Sequence, residues 1–265
     1  MATPNTTLSS DSYVPILKCK KGELGALSTS GPLRPRLLPL VEAPSADRAP
    51  SLADSWGDPG HALLVQPLNL DEIDESTWPA EVSRLFDELR SLGVAAVPVV
   101  TMDDTPATIA AVAAVIATDG RGAALRIEAE EIVLATLAAV QSDVDQLLHA
   151  LNVAPDGCDL LLDVGLVRDT LALRVTTAEA GFRVLPYMNA WRNLITTFSA
   201  FPDDLGSVAA KGVVTPIARD DAAAHATLVA RGPDRVPVFS DHAVGTPFYV
   251  DAPWAPIPGL LTYAQ

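Results

Sequence analysis

The chain has 265 residues, of which 49% are hydrophobic and 19% are charged. It is therefore long enough to bury a sizeable core, and its composition is not that of a disordered protein. The formal net charge of −15 argues against binding to a phosphate backbone, because such binding depends on clustered lysines and arginines. The carboxylates are scattered along the sequence, so solubility is the ordinary explanation of the acidity and mimicry of nucleic acid is a minor alternative.

The N-terminal sequence and the cysteines indicate the cellular compartment in which the protein is expected to function. Residues 1–12 contain no basic segment followed by an apolar one, so no secretory signal is expected. We expect a flexible N-terminus over these residues and a single α/β barrel domain over 13–265. No apolar stretch is long enough to span a membrane. Cys19 and Cys158 lie far apart, each in or beside an apolar run, which predicts buried free thiols and a cytoplasmic location.

Eight short apolar runs alternate with helical segments, which is typical of parallel βαβ units. In chain order the runs lie within YVPILKCKKGE, RPRLLPLVEAP, HALLVQPLNL, VAAVPVVTMDD, GAALRIEAEE, GCDLLLDVG, RNLITTFSAFP and RVPVFSDHAV. The sixth run is apolar almost throughout, as expected of a strand that is buried on both faces of a parallel sheet. A ninth short run, GLLTYAQ, lies at 259–265.

The segments between these runs predict helices and loops. In TWPAEVSRLFDELRSLG the apolar residues keep the spacing of one helix face, and Gly93 is the expected C-cap. Thr105 and Pro106 have the residue types of an N-cap and a first helical position. Residues 46–60 are rich in Asp, Pro, Ser and Gly, which predicts a loop. The other helical segments are GELGALSTSGPL, ATIAAVAAVIATDG, EEIVLATLAAVQSDVDQLLHALNV, VRDTLALRVTTAEAGFRVLPYMNAW and ARDDAAAHATLVARG.

Together these elements predict a (β/α)8 barrel of the TIM type. A doubly wound parallel sheet is the alternative, because the number of strands alone does not establish that a sheet closes.

Charged residues recur where the predicted strands end, which is where ligands bind in such a barrel. The set comprises Lys18, Glu42, Asp71, Asp103, Arg126, Asp163 and Asp241. A charge inside an apolar run must be paired or face a ligand cavity, although each could also mark the exit of a strand into water. We expect possible ion pairs of Lys18 with Glu42 and of Arg126 with Asp163, since each pair comes from neighbouring strands. The aspartates at 71, 103 and 104 could instead cap the following helices.

Recognised catalytic motifs are missing from the sequence. The four histidines form no metal-ligand pair, and only His242, which follows Asp241 at the end of the eighth run, is placed for a site. There is no P-loop, no dinucleotide-binding glycine motif and no nucleophile elbow, so no cofactor is expected. Glu42 and Asp163 could act as an acid and base pair, but only geometry can establish that. A metal-dependent hydrolase that uses Asp163, Asp241 and His242 is a weaker alternative.

The opening stretch YVPILKCKKGE, followed by LLPLVEAP, resembles the start of the "beta protein" family of phages and bacteria. Three later segments, LLLDVG, FSAFP and PVFSDHAVGTP, resemble family segments and occur in the same order. The resemblance implies a barrel-like protein without an established biochemical activity, in a phage or a phage–host conflict. It places the family's strand-end residues on Lys18, Glu42, Arg126, Asp163 and Asp241. The family's usual region beyond LLTYAQ has no counterpart here, so we expect a short member, which would bind without catalysing if that region completes the site.

Two functions follow from these observations. The first is a polar pocket at the carboxyl ends of the strands that binds a small anionic or polar ligand. Its candidate residues are Lys18, Glu42, Arg126, Asp163, Asp241 and His242. The second is an interaction protein that docks a partner protein through its acidic surface. Neither a nucleic acid nor a membrane is expected as a partner.

Overall fold

The computed structural model describes residues 7–58, 60–70, 72–167, 170–202, 208, 210, 213–243 and 245–247. Eight strands make up its sheet: β1 (Tyr13–Lys18), β2 (Leu40–Ala43), β3 (Leu63–Pro67), β4 (Ala96–Val100), β5 (Ala123–Glu128), β6 (Cys158–Leu166), β7 (Leu194–Ser199) and β8 (Val238–Asp241). Each lies within one of the eight apolar runs, except that β6 continues one residue past its run to Leu166, so the prediction of the strands is confirmed. The run at 259–265 lies outside the described residues, as do the first six residues of the N-terminus that was predicted to be flexible.

The sheet is closed and all of its strands are parallel. Neighbouring strands follow one another in chain order, and the barrel closes where Tyr13 to Pro15 of β1 pair with Phe239 to Asp241 of β8. An open, doubly wound sheet would leave two edge strands, whereas here β1 pairs with both β2 and β8. The fold is therefore a (β/α)8 barrel, as predicted.

Side chains alternate between the two faces of the barrel wall, as the period of a strand requires. The lumen is filled by small and branched apolar residues from all eight strands and the segments leading into them: Val14, Ile16, Leu38, Leu40, Ala62, Leu64, Val97, Val99, Ala124, Leu161, Ile195 and Val238. The intervening apolar residues belong to a second cluster, shared with the surrounding helices. Beyond the last apolar layer, at the carboxyl ends of the strands, the inward positions are polar, and this end is called the mouth.

The helices between the strands are α1 (Lys21–Thr29), α2 (Ala49–Trp56), α3 (Trp78–Ser91), α4 (Pro106–Asp119), α5 (Ala129–Ile132), α6 (Leu137–Leu151), α7 (Leu171–Val184) and α8 (Asp220–Ala230). The expected start of α4 is confirmed, because the Thr108 N–H donates to Thr105 Oγ1 at 3.3 Å. Within the described ranges, no helix combines the length and the apolar character that crossing a bilayer would need.

Two local predictions were wrong. Residues 46–60 contain a 3-10 turn and then α2, because Leu52 and Trp56 bury one face of this short helix completely and the Trp56 indole N–H donates to the Ala62 carbonyl at 3.1 Å. Tertiary burial therefore outweighs the turn-forming composition. The second strand is also shorter than its run, because residues Gly31–Arg36 form a 3-10 helix and the strand begins only at Leu40.

The end of the barrel opposite the mouth is sealed by a complete polar network. Arg192 donates to both carboxylate oxygens of Asp159 at 2.7 Å each, and the Asn193 amide donates to Asp159 Oδ1 at 2.6 Å. Asn193 accepts in turn from the Leu8 N–H at 2.9 Å, and Leu8 packs against the lumen cluster. Cys158 opens the same strand as Asp159, and both cysteines are buried free thiols, as predicted.

We predict that Gly122→Ala destabilises the protein far more than Gly120→Ala. Both glycines have positive φ, 70° and 65°, but a Cβ on Gly122 would lie 1.9 Å from the Gly157 carbonyl oxygen, whereas nothing lies within 4 Å of one on Gly120. Gly120→Ala should lower the free energy of unfolding by about 1 kcal/mol and Gly122→Ala by about 2 to 4 kcal/mol. Urea denaturation checks this, and equal losses would contradict the predicted clash.

Candidate functional site

The mouth is organised around the guanidinium of Arg126, the inward residue near the end of β5. Only 8% of this residue is exposed. Its Nε and Nη2 donate to Asp163 Oδ2 on β6 at 3.0 and 2.6 Å, so the expected ion pair with Asp163 is present. Its Nη1 donates to Glu42 Oε1 on β2 at 2.9 Å and to Gln66 Oε1 on β3 at 2.8 Å. Arg126 therefore spans the lumen, because β2 and β6 lie on opposite sides of an eight-stranded barrel.

Gln66 is a member of this network that the charge pattern missed. It is neutral and lies inside an apolar run, but the ladder pairs Glu42 with Gln66 just as it pairs Lys18 with Glu42. The three side chains therefore lie at one height on neighbouring strands. The alternation of side chains along β3 could have predicted that Gln66 faces the lumen, because Gln66 lies two residues after Leu64, which is on the lumen face.

Asp163 and His242 form the opposite wall of the mouth. Asp163 Oδ1 accepts from the Gly165 N–H at 2.9 Å, which fixes the carboxylate while Oδ2 holds Arg126. His242 Nε2 lies 3.5 Å from Asp163 Oδ2, and only 3% of His242 is exposed. Although burial alone would raise it, the pKa of Asp163 is held well below its ordinary value by the Arg126 guanidinium and His242. Asp163 is therefore a fixed anion.

Lys18 and Glu23 occupy the third side, where β1 passes into α1. Lys18 Nζ donates to the carbonyl of Thr246 at 2.9 Å, so the segment after β8 lies over this part of the mouth. Lys18 Nζ and Glu23 Oε1 lie 3.6 and 3.9 Å from the position a Cβ would take on Gly245. Burial lowers the pKa of Lys18 against the opposing effects of Glu42 and Glu23, and burial raises the pKa of Glu23 to about 7. Glu23 lies on a helix, so a search of strand ends did not find it.

Asp241 does not join the other five candidates. It points out of the barrel, where Tyr13 Oη donates to its Oδ1 and Arg219 Nη2 donates to its Oδ2 at 2.6 Å. The trio of Asp163, Asp241 and His242 is therefore divided by the barrel wall. No group of three potential ligands of the His, Cys, Asp or Glu types with metal-binding geometry occurs in the part of the chain that the structure describes.

The aspartates after β4 serve a separate surface. Asp104 Oδ2 accepts from the Thr101 N–H at 2.8 Å, which makes it part of the turn before α4. Asp103 and Asp104 line a groove of about 640 Å³ that also includes Glu131 and Asp143. Asp71, the candidate after the third strand, lies outside the described residues.

The mouth also contains buried polar atoms that make no hydrogen bond within the described ranges. They are Glu42 Oε2, Glu23 Oε2, Ser199 Oγ and both ring nitrogens of His242. Leaving such atoms unpaired costs free energy, since each has lost its water without gaining a partner. A site that binds a ligand has this property because the ligand supplies the missing partners.

The family of the chain follows from comparison with known proteins. A family model described as "Beta protein" matches residues 13–264. The chain belongs to the Beta protein family. The resemblance carried by YVPILKCKKGE and the later segments is thereby confirmed over nearly the whole chain. No curated protein matches it.

Solved structures similar to this Beta protein family member include two enzymes. Triosephosphate isomerase from Bartonella henselae aligns with a TM-score of 0.45 and 13% identity, over 87% of this chain and 92% of that chain. The GH10 xylanase of Thermobacillus composti aligns with a TM-score of 0.38 and 12% identity, over 88% of this chain and 84% of that chain. The barrel assignment for this family member rests on its own closed parallel sheet.

We predict that Arg126→Met destabilises this Beta protein family member by about 3 to 5 kcal/mol at neutral pH, because two buried carboxylates lose their counterion. Arg84→Met is the matched control. Arg84 contacts three carboxylates where Arg126 contacts two, but the Arg84 side chain is 45% exposed, so its loss should cost less than about 1 kcal/mol. Urea denaturation measures both. Lowering the pH toward 5 should recover part of the Arg126→Met loss, because its unpaired carboxyls can then be protonated, and equal losses in the two variants would contradict the prediction.

A second prediction for this family member concerns Glu23. Its pKa is about 7 in the folded protein, whereas the unfolded chain releases this proton near pH 4.3 as an ordinary glutamate does. This group therefore makes the wild type lose stability as the pH rises from about 4.3 to about 7, and no further above that. Between about pH 4.3 and about pH 7, the free energy of unfolding of Glu23→Gln should rise by about 1 to 3 kcal/mol relative to that of the wild type. Urea denaturation at several pH values checks this, with exposed Glu75→Gln as the control, and parallel curves for Glu23→Gln and wild type would contradict it.

Proposed function

We propose that this member of the Beta protein family binds a small polar ligand at the mouth of its barrel. The floor of the site is Arg126 with its three partners, and the walls are Lys18 and His242. The observation that carries the proposal is the coexistence of a fixed ionic network with five buried polar atoms beside it that make no hydrogen bond within the described ranges. One of the five, His242 Nε2, has only its 3.5 Å contact with Asp163 Oδ2. A network that only held the barrel together would gain nothing from the unpaired atoms.

The opposite end of the barrel supplies the comparison. There Arg192, Asp159 and Asn193 form a second ionic network, and within the described ranges none of their side-chain atoms is among the buried atoms without a hydrogen bond. The same sequence therefore builds one satisfied end and one unsatisfied end. This difference supports a binding role for the mouth and a structural role for the opposite end.

The low exposure of the cations in the mouth favours a ligand of few atoms. Lys18 and Arg126 are each 8% exposed, and the Lys18 contact with Thr246 covers one side. The ligand is therefore expected to make most of its contacts with side chains at the strand ends.

Docking of a protein partner through the acidic surface has less support. The groove that contains Asp103, Asp104, Glu131 and Asp143 offers negative charge, but Asp104 already accepts from the backbone at the start of α4. Asp103, Glu131 and Asp143 are exposed, so water can complete their hydrogen bonds. The groove therefore needs no ligand to complete its hydrogen bonds, whereas the mouth does.

The test compares His242→Asn with His61→Asn. Both variants exchange a histidine for a smaller polar residue, but His61 precedes β3 at the opposite end of the barrel, where it contacts Asp58 at 3.0 Å. Saturation-transfer NMR is recorded with acetate, inorganic phosphate, glycerol and ethanolamine. We expect at least one probe to bind the wild type and His61→Asn, and to bind His242→Asn about tenfold more weakly because its buried partner is lost. Equal binding to all three proteins, or no binding to the wild type, would refute the proposal.

A further inference from the structure

We propose that the ligand of the mouth carries a protonated amine, and that Glu42 and Glu23 receive it. The inference rests on the proposed binding site and specifies its chemistry. It narrows the sequence-based expectation of a small anionic or polar ligand to a polar ligand that carries a positive charge.

The cations of the mouth are already engaged with the protein. Arg126 uses four N–H bonds on Asp163, Glu42 and Gln66, out of the five N–H groups that a guanidinium has. Lys18 directs its ammonium at the Thr246 carbonyl and lies in the field of both Glu42 and Glu23. An anionic ligand would compete with these bonds for the guanidinium and the ammonium.

The unused hydrogen-bonding capacity is mainly that of acceptors. Glu42 gives Oε1 to Arg126 and leaves Oε2 buried and unpaired, in a residue that is only 3% exposed. Glu23 Oε2 is also buried and unpaired. A primary ammonium group has three N–H donors, and an imidazole nitrogen of His242 can act as a further acceptor in the appropriate tautomer. The available acceptors therefore match an ammonium group in number and in chemistry.

The charge balance favours the same ligand. When Glu23 is ionised, the carboxylates of Glu23, Glu42 and Asp163 outnumber the two cations Lys18 and Arg126, and a bound anion would then meet a surplus of like charge. The groups that act on Glu23 are Lys18 and Lys20, which favour its ionised form, and Glu42, which opposes it. A cationic ligand would also favour the ionised form of Glu23, so Glu23 would release its proton when the ligand binds. Binding should therefore strengthen as the pH rises from 6 to 8.

Isothermal titration calorimetry with ethanolamine, putrescine, acetate and inorganic phosphate tests the inference, together with the ring-nitrogen NMR signals of His242. We expect the amines to bind the wild type at least about tenfold more tightly than the anions, and to release a proton that buffers of different ionisation enthalpy reveal. Glu42→Gln, which can keep its carbonyl bond to Arg126, should weaken amine binding by about tenfold because a charge-assisted partner becomes neutral. Asp156→Asn, the same loss of charge on the exposed segment before β6, should leave it unchanged.

The outcomes separate the two proposals. Binding of acetate or phosphate that depends on His242 and tightens in Glu42→Gln would overturn the amine inference and leave the binding site intact. Equal amine affinities in the wild type, Glu42→Gln and Glu23→Gln would also overturn the amine inference. If Glu42→Gln does not fold, the comparison of Glu23→Gln with the wild type still tests the inference. If no probe of either class shows binding that depends on His242, both proposals are wrong.

Discussion

Burial of the Arg126 guanidinium is the constraint on which the upper half of the barrel depends. A guanidinium cannot be deprotonated to escape burial, so its charge must be balanced where it lies. Asp163 supplies one anion from the neighbouring strand, and Glu42 supplies another from the far side of the lumen. The four side chains of this network reach one another only if β2, β3, β5 and β6 close into a barrel with their inward positions at compatible heights. The network therefore specifies the register of the barrel as well as filling its lumen.

The lumen changes character along its axis for the same reason. Its lower layers are apolar and need no partners, so they can be packed with branched side chains. Both of its ends contain an arginine with an aspartate of β6, Asp159 at one end and Asp163 at the other. The two aspartates are four positions apart on the strand, so both point into the lumen by the period of the strand. The two ends differ in how many of their buried polar atoms make hydrogen bonds. At Asp159, Asn193 and the chain before β1 supply the remaining partners, whereas the mouth keeps buried atoms that make no hydrogen bond within the described ranges.

The sequence was sufficient for the order of the elements and for most of the mouth. Charges at the ends of apolar runs could be placed at one end of the barrel because parallel strands share a direction, and this identified Lys18, Glu42, Arg126, Asp163 and His242. The sequence could not show which face of the barrel wall Asp241 occupies. Inward and outward residues alternate along a strand, and the run around β8 is too short to show which of its residues face inward.

Gln66 and Glu23 were missed for different reasons, since one is neutral and the other lies on a helix that follows its strand. Helix α2 was missed because its composition is that of a loop, and only the burial of Leu52 and Trp56 against the rest of the protein makes it a helix. These omissions concern contacts between distant segments, about which local patterns carry little information.

The charge of the whole chain and the chemistry of the mouth are connected. A net charge of −15 creates a potential that concentrates small cations near the surface and excludes small anions. Within the mouth, Glu42 and Glu23 both favour the charged form of the Lys18 ammonium, so the field of these carboxylates is one that stabilises a cation. Each carboxylate retains a second oxygen without a partner. An amine bound there would continue the alternation of charge that begins with Asp163 and Arg126 and passes through Glu42 to Lys18 and Glu23, whereas an anion would interrupt it.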